Sequence, residues 1–515
     1  MNKLMLALVV SWTLPMFAMV ELGTPFTNGM VLQRGMKAPV WGKVVSDRSG
    51  GPSAVVVSFA GQKKTVTANP VTGAWMVELE PMEASKESRQ LKVTEMRKGK
   101  AVNEVTVKDV LVGEVWLCSG QSNADCPIWG DNPRYRDGWG SMMLTSVNKP
   151  FVRMVKTPFA ASIEPNVKYK AEWMKMTPAM CKVFKSGKRL PSAMGYYYAL
   201  ELANALDVPI GLIDSSYGGS NIDAWTPRSG YAGLPDLEQE RNWQMIESSK
   251  WKPENRKGPV NDFNQQPSVR WNGMVAAYVP MACRGFIWYQ GCHNAGEHAR
   301  YASKMHALYN GWSTEFRNPS LKLYFVQLAP WGYVGIANIQ MAQAKFAAEE
   351  KNAAMVVIND VGNIGDIHPN DKRTVSKRLA LHALKRDYGW DFVRDNSPTL
   401  KEWRIEGDRF VLSFDDADGW YVYNPKRSMN VGFEVCGTNG VWKAAKIVNL
   451  VESKSRDGKI VWNGRLEGDK VIVSADAVKD PVKLRYLHSE PWFGALYNDA
   501  GLPLGAFSIE GESGQ

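Results

Sequence analysis

The sequence predicts an α/β protein: a parallel sheet with helices between its strands, flanked by β-rich segments on both sides. Three observations carry this. Continuous apolar runs recur in the middle of the chain, at Val110–Leu117, Ile210–Ile213, Gly285–Tyr289, Leu321–Leu328 and Ala353–Ile358. Runs of this length without alternation suit strands buried on both faces. Between them lie segments of helical period, and at both ends short alternating runs are broken by Gly, Asn, Asp and Pro.

The elements follow in order. The first 18 residues read as a secretory leader: Lys3, an apolar stretch from Leu4 to Phe17, then the small Ala18. This stretch is too short to span a membrane comfortably. The mature protein is therefore expected to be soluble and secreted or periplasmic. Residues 19–108 form an N-terminal β-domain, with strands at Ala38–Trp41, Ala54–Phe59 and Thr65–Ala68. Residues 109–395 form the domain expected to carry the chemistry. Its helices are Ser192–Leu206, Ala299–Phe316, Ile339–Ala348 and Lys372–Leu384. In the second of these, Tyr301, Met305, Leu308, Trp312 and Phe316 keep a 3–4 spacing. Residues 396–515 return to β structure, with strands at Arg409–Ser413, Lys459–Trp462, Val471–Ser474 and Val482–Leu487. Each boundary is soft by about ten residues, because no low-complexity linker marks it.

Composition narrows the function classes. The 515 residues are 44% apolar and 22% charged, as in globular proteins rather than disordered ones. The net charge is +10, yet no basic run sits on a nucleic-acid motif, and acids are mixed in throughout. A solvated basic surface, or one that attracts an anionic substrate, is what this implies. Six cysteines (118, 126, 181, 283, 292 and 436) match no zinc spacing. Export would permit disulfides among them, and buried thiols are the other reading.

Chemistry concentrates at the ends of the apolar runs, where functional residues gather in open α/β sheets. Val115-Trp-Leu-Cys-Ser-Gly-Gln-Ser-Asn123 takes an apolar strand into a tight turn that exposes Ser122 close to backbone N–H groups. It is not a Gly-x-Ser-x-Gly elbow, since position 124 is Ala124. Of the six histidines, His306 and His382 lie in helical patterns. His368 lies in the loop Asn363–Asp371, and Asp366, two residues before it, points the same way in extended backbone. Two further loops follow strands. Asp214–Trp225 contains Gly218-Gly219, and Trp288–Gly296 offers the amides of Gln290 and Asn294.

These pieces, in this order, resemble the sialate O-acetylesterase family of the SGNH-hydrolase superfamily. The resemblance runs through Leu22-Gly…Asn28-Gly-Met-Val-Leu-Gln-Arg34, Pro39-Val-Trp-Gly42, Gly120-Gln-Ser-Asn123 and Pro191-Ser-Ala-Met-Gly-Tyr196. It continues at Gly218-Gly219…Ala224-Trp225, Asn272-Gly-Met274, Trp288-Tyr-Gln-Gly291, Asp366-Ile-His-Pro369, Leu496-Tyr-Asn498 and Gly501-Leu-Pro503. It implies a flavodoxin-like three-layer domain, no metal or organic cofactor, and hydrolysis of acetyl esters on sialic acids or related glycans. It also implies Ser122 as nucleophile, His368 as base, and Gly219 and Asn294 as oxyanion partners of the Ser122 N–H. Gln121, Gln290, His293 and Trp225 are expected to contact substrate.

Two departures stand out. Cys292-His293 occupies the place where the family carries Glu and a small residue. The position three before the histidine is Gly365, so the third triad member is Asp366, Asp360 or a backbone carbonyl. An acetyl-xylan or other glycan acetylesterase is the rival enzyme reading. A catalytically weak glycan-binding protein on the same scaffold is the rival of another class.

Overall fold

The computed structural model describes residues 19–45, 53–129, 140–165, 169–185, 189–246, 265–332, 335–362, 365–423, 432–454, 460–488 and 496–510. The expected leader at 1–18 lies outside the described residues.

A mixed sheet organises the chain. Its main path runs Met174–Met176, Lys149–Lys156, Ile210–Ser216, Lys100–Gly120, Gly285–Tyr289, Lys322–Val326, Ala353–Val356. From Lys149–Lys156 to Ala353–Val356 the neighbours are parallel, and Met174–Met176 closes one edge antiparallel. All seven residues of Ile210–Ser216 and all five of Gly285–Tyr289 are buried, which is why these runs show no alternation in the sequence. The Lys149–Lys156 strand is absent from the sequence expectations. Its Lys, Arg and Pro interrupt the apolar run.

The helices match their periods. Ala193–Leu206 starts at Ser192, whose side chain accepts from the Gly195 N–H, and ends at Asp207 in the left-handed conformation. Lys372–Tyr388 starts at Asp371, which accepts from the Thr374 N–H, and stops at Gly389 with φ +73°. These two helices pack on each other. His298–Glu315 and Ile336–Glu349 form a second packed pair.

The N-terminal β region is fused to the central sheet. One 21-residue strand, Lys100–Gly120, begins as the partner of Ser85–Arg97 and ends as the middle of the parallel sheet. Val31–Gln33 pairs with it in parallel. One apolar core accordingly runs from Val20 to Leu384, through the border expected at 108. A second core, including Phe410, Val435, Val473 and Leu484, belongs to three four-stranded antiparallel sheets between Thr399 and Glu510. It meets the central region where Asn359, just past the Ala353–Val356 strand, donates to the Leu504 carbonyl, and where His488 bonds Asn338 of the Ile336–Glu349 helix.

Among the described residues, no helix is long and apolar enough to cross a membrane. The six cysteines are all thiols. Burial pushes Cys283 and Cys292 up to about 12, so both stay protonated at neutral pH.

Candidate active site

Strand register brings the loops of interest to one edge. Gly120, Ser216 and Tyr289 stand side by side at the carboxyl ends of three adjacent strands. The chain leaves each strand there and enters the turns carrying Ser122, Gly218-Gly219 and Gln290–Asn294. Gly120 has φ +132°, and a Cβ there would run into the Tyr289 carbonyl. Its absence lets the Gln121 N–H bond that carbonyl at 3.0 Å, which sets the sharp exit of the strand. Ser122 then opens a one-turn helix, Ser122–Asp125, half-buried among buried neighbours. A Cβ built on Gly218 would lie 3.6 Å from the Ser122 Cβ, so the Tyr217–Gly219 turn runs directly beside the serine. Gly219 itself is exposed, at φ +70°.

The histidine reaches the serine across the sheet. His368 Nε2 lies 2.9 Å from Ser122 Oγ, and His368 Nδ1 lies 2.8 Å from Asp366 Oδ1. The same carboxylate oxygen accepts the His368 backbone N–H at 3.0 Å. With a carboxylate at Nδ1, that nitrogen carries the proton, and Nε2 is left to accept from the serine hydroxyl. Asp360 stands elsewhere. Both of its oxygens are held by Arg378 at 2.7 Å, and Arg378 also reaches the Gly501 carbonyl. The alternative acid is thus spent on an ion pair that supports the contact with the C-terminal region.

Asn123 and Lys372 lock the histidine loop to the serine turn, and sequence reasoning gave neither a role. Asn123 Nδ2 donates to the Ile367 carbonyl at 2.8 Å. Lys372 Nζ donates to Asn123 Oδ1 and to the Pro369 carbonyl, each at 2.6 Å. The signal was present: Asn123 directly follows the serine, and Lys372 lies four residues after His368.

The expected substrate contacts are sorted by burial. Gln290 is wholly buried, giving Nε2 to the Ser220 carbonyl and to Asn294 Oδ1 while Oε1 accepts from Tyr301. Trp225 is also wholly buried, its N–H on Ser220 Oγ at 2.8 Å and its ring edge-on to Trp288. Gln121 accepts from the Gly291 N–H at 3.0 Å and the His293 N–H at 3.4 Å. All three are buried and brace the loops from within, where the sequence leads one to expect contact with substrate. Both polar atoms of the Gln290 amide and the Trp225 indole N–H find their partners inside the protein. His293 alone of the four is exposed, and burial of part of its ring lowers its pKa.

Asn294 is wholly buried. Its Oδ1 accepts from the Ile222 N–H (3.1 Å) and Gln290 Nε2 (2.7 Å), which fixes the direction of Nδ2. One Nδ2 hydrogen goes to Glu297 Oε2 at 2.6 Å. Lys304 holds Glu297 and Asp223, each at 2.8 Å. The Glu297 carboxyl sits below its usual range, since burial, which raises it, is outweighed by Lys304 and Asn294. Among the described residues, no group of three or more His, Cys, Asp or Glu side chains is placed to hold a metal ion.

Behind the serine, Lys156 Nζ is buried between Asp125 Oδ1 (2.6 Å) and Asp214 Oδ2 (3.0 Å). Burial raises the Asp214 pKa despite the lysine. Lys156→Met would leave two buried carboxylates facing each other. It is expected to destabilise the fold by about 3–5 kcal/mol, read by urea denaturation. An unchanged midpoint would mean the cluster is not held as described.

A sequence profile described as "Carbohydrate esterase, sialic acid-specific acetylesterase" matches residues 112–385, more than half of the chain. The chain belongs to this carbohydrate esterase family. All the catalytic candidates lie within the matched residues. Sialate O-acetylesterase of Rattus norvegicus is 29% identical over 416 residues, covering 73% of this chain and 75% of the relative. The Homo sapiens sialate O-acetylesterase is 29% identical over 391 residues, covering 70% of each. Among solved structures, a carbohydrate acetylesterase from Xanthomonas citri superposes with a TM-score of 0.76 at 29% identity. The match covers 96% of this chain and 100% of that one. Membership supports esterase activity on carbohydrate O-acetyl groups in general.

Proposed function

We propose that the protein is a secreted serine esterase that removes O-acetyl groups from sialic acids or related glycans. The observation that carries this is the unbroken chain Ser122 Oγ, His368 Nε2, His368 Nδ1, Asp366 Oδ1, with links of 2.9 and 2.8 Å. We read the domain around it as the flavodoxin-like three-layer form of the SGNH hydrolases.

Ser122 Oγ attacks the acetyl carbonyl carbon while His368 Nε2 takes its proton, and Asp366 stabilises the imidazolium that forms. The carbonyl oxygen becomes an oxyanion against the Ser122 and Gly219 N–H groups and the second Nδ2 hydrogen of Asn294. Collapse of the tetrahedral adduct breaks the bond to the sugar oxygen, which takes the proton from His368. Water then enters, gives its proton to His368 and attacks the acetyl carbon. Ser122 leaves with that proton, and acetate is released. Measuring acetate release from O-acetylated sialoglycans and from acetylated xylan tests the reading and its rival together. Turnover of xylan alone would favour the acetyl-xylan esterase.

The substituted loop shapes the sugar side of this site. A thiol held protonated by burial cannot supply the charge of the Glu that relatives place at Cys292. Cys292→Glu is expected to alter the ratio of rates between acetylated sugars, measured as competing kcat/KM values. His293→Ala is expected to cost less than about tenfold in kcat on an aryl acetate, since general-base contributions reach about 10²–10⁴. A loss equal to that of His368→Ala would move the base to this loop.

Secretion rests on the leader at 1–18. Mass spectrometry of the exported protein is expected to find an N-terminus close to Ala18. Mature, active protein retaining Met1 would overturn this.

A further inference from the structure

Beside Ser122, a wall of side chains alternates cations with aromatic rings. Arg189 Cζ lies 4.4 Å from the centre of the Phe159 ring. Phe159 meets Tyr217 edge-on at 4.8 Å, and Arg270 Cζ lies 3.4 Å from the centre of the Tyr217 ring. Tyr217 leads into Gly218, which runs beside Ser122, so the wall starts at the reacting group.

Among the described residues, three cations of this wall, Lys156, Arg189 and Arg270, stand against two carboxylates, Asp125 and Asp214. Lys156 and Arg189 share Asp125, with Arg189 Nη2 on Asp125 Oδ2 at 3.1 Å, and Lys156 also holds Asp214. Arg270 adds a third cation. It is buried, gives Nη1 to the Ala160 carbonyl at 2.9 Å, and has no hydrogen-bond partner for Nε or Nη2 among the described residues. A buried guanidinium with unmet N–H groups is costly, and it biases the surface above it toward an anion.

The exposed end of the wall has the chemistry of a receptor. The Arg189 side chain is 47% exposed and Phe159 is 41% exposed. A planar guanidinium grips a carboxylate through paired N–H groups, and an adjacent aromatic face suits the apolar side of a sugar ring. A neutral sugar would gain nothing from the charge.

We propose that Arg189, stacked on Phe159, binds a carboxylate carried by the acetylated sugar, so that the site selects acidic over neutral sugars. The proposal rests on the esterase reading above. Sequence alone does not reveal this cation, because Arg189 is 67 residues from Ser122 and is held beside it by Asp125 and Phe159, which come from other segments.

The experiment measures acetate release from 4-nitrophenyl acetate, from an O-acetylated N-acetylneuraminic acid, and from the methyl ester of that same sugar. The wild-type protein is expected to favour the free acid over its methyl ester by tenfold or more in kcat/KM. The difference should lie mainly in KM and shrink with added salt. Arg189→Gln and Arg189→Glu are expected to bring the ratio close to one or below it. Because both sugars are compared on the same preparation, the ratio does not depend on how much of the variant is folded. Turnover of 4-nitrophenyl acetate with no preference for the acid would overturn this proposal and leave the esterase reading standing. A preference that survives both variants would overturn the assignment to Arg189. No turnover of any of the three would remove the esterase reading, and this one with it.

Discussion

Ser122→Ala is expected to reduce kcat on a chromogenic acetyl ester by several orders of magnitude, approaching the ~10⁶-fold reported for loss of a nucleophile in serine hydrolases. Removal of Oγ leaves His368 with nothing to deprotonate except water, and no acyl-enzyme can form. The fold should be untouched. Ser122 is half-buried, its Oγ bonds His368, and the turn is held by Gly120, Gln121 and Asn123. Circular dichroism and the thermal midpoint of the purified variant would therefore match the wild type. Near-normal turnover by Ser122→Ala would sink the assignment of the nucleophile.

His368→Ala should lose about as much as Ser122→Ala, and the double variant no more than either alone, because the two residues act as one unit. Additive losses would show that they do not. Asp366→Asn is expected to be milder. Asp366 Oδ1 accepts both the ring Nδ1–H and the backbone N–H of His368, and an amide oxygen at that place can accept the same two hydrogens. The ring then keeps its tautomer, and only the stabilisation of the imidazolium is weakened. The cost should stay well under the ~10⁴-fold seen where an Asp→Asn change flips the tautomer. Asp360→Asn should not affect the proton transfer directly, since Arg378 holds both oxygens of Asp360. If Asp360→Asn were inactive and Asp366→Asn silent, the third role would move to Asp360.

The sequence by itself determined the local elements and the reactive candidates. Val110–Leu117 and Gly285–Tyr289 are read as buried strands because a chain covered on both faces must be apolar without alternation. The 3–4 spacing of Tyr301, Met305, Leu308 and Trp312 gives the His298–Glu315 helix for an equally local reason. Ser122 and the Asp366–His368 pair were legible because the turn, the loop and the two-residue spacing are all properties of a few consecutive residues.

Tertiary structure alone decided everything that depends on residues far apart in the chain. It brought His368 to Ser122 across 246 positions, placed Asp366 rather than Asp360 against the ring Nδ1, and joined the two loops through Asn123 and Lys372. It also buried Gln121, Gln290 and Trp225. An amide or an indole at a strand end reads the same whether its polar atoms meet solvent or protein, and burial settles which. The Lys149–Lys156 strand was hidden for a related reason. Its Lys156 is buried, but only because Asp125 and Asp214 arrive from other segments to accept its charge. Sequence patterns record what neighbouring residues share, whereas charge compensation and hydrogen-bond closure depend on which surfaces the fold presses together.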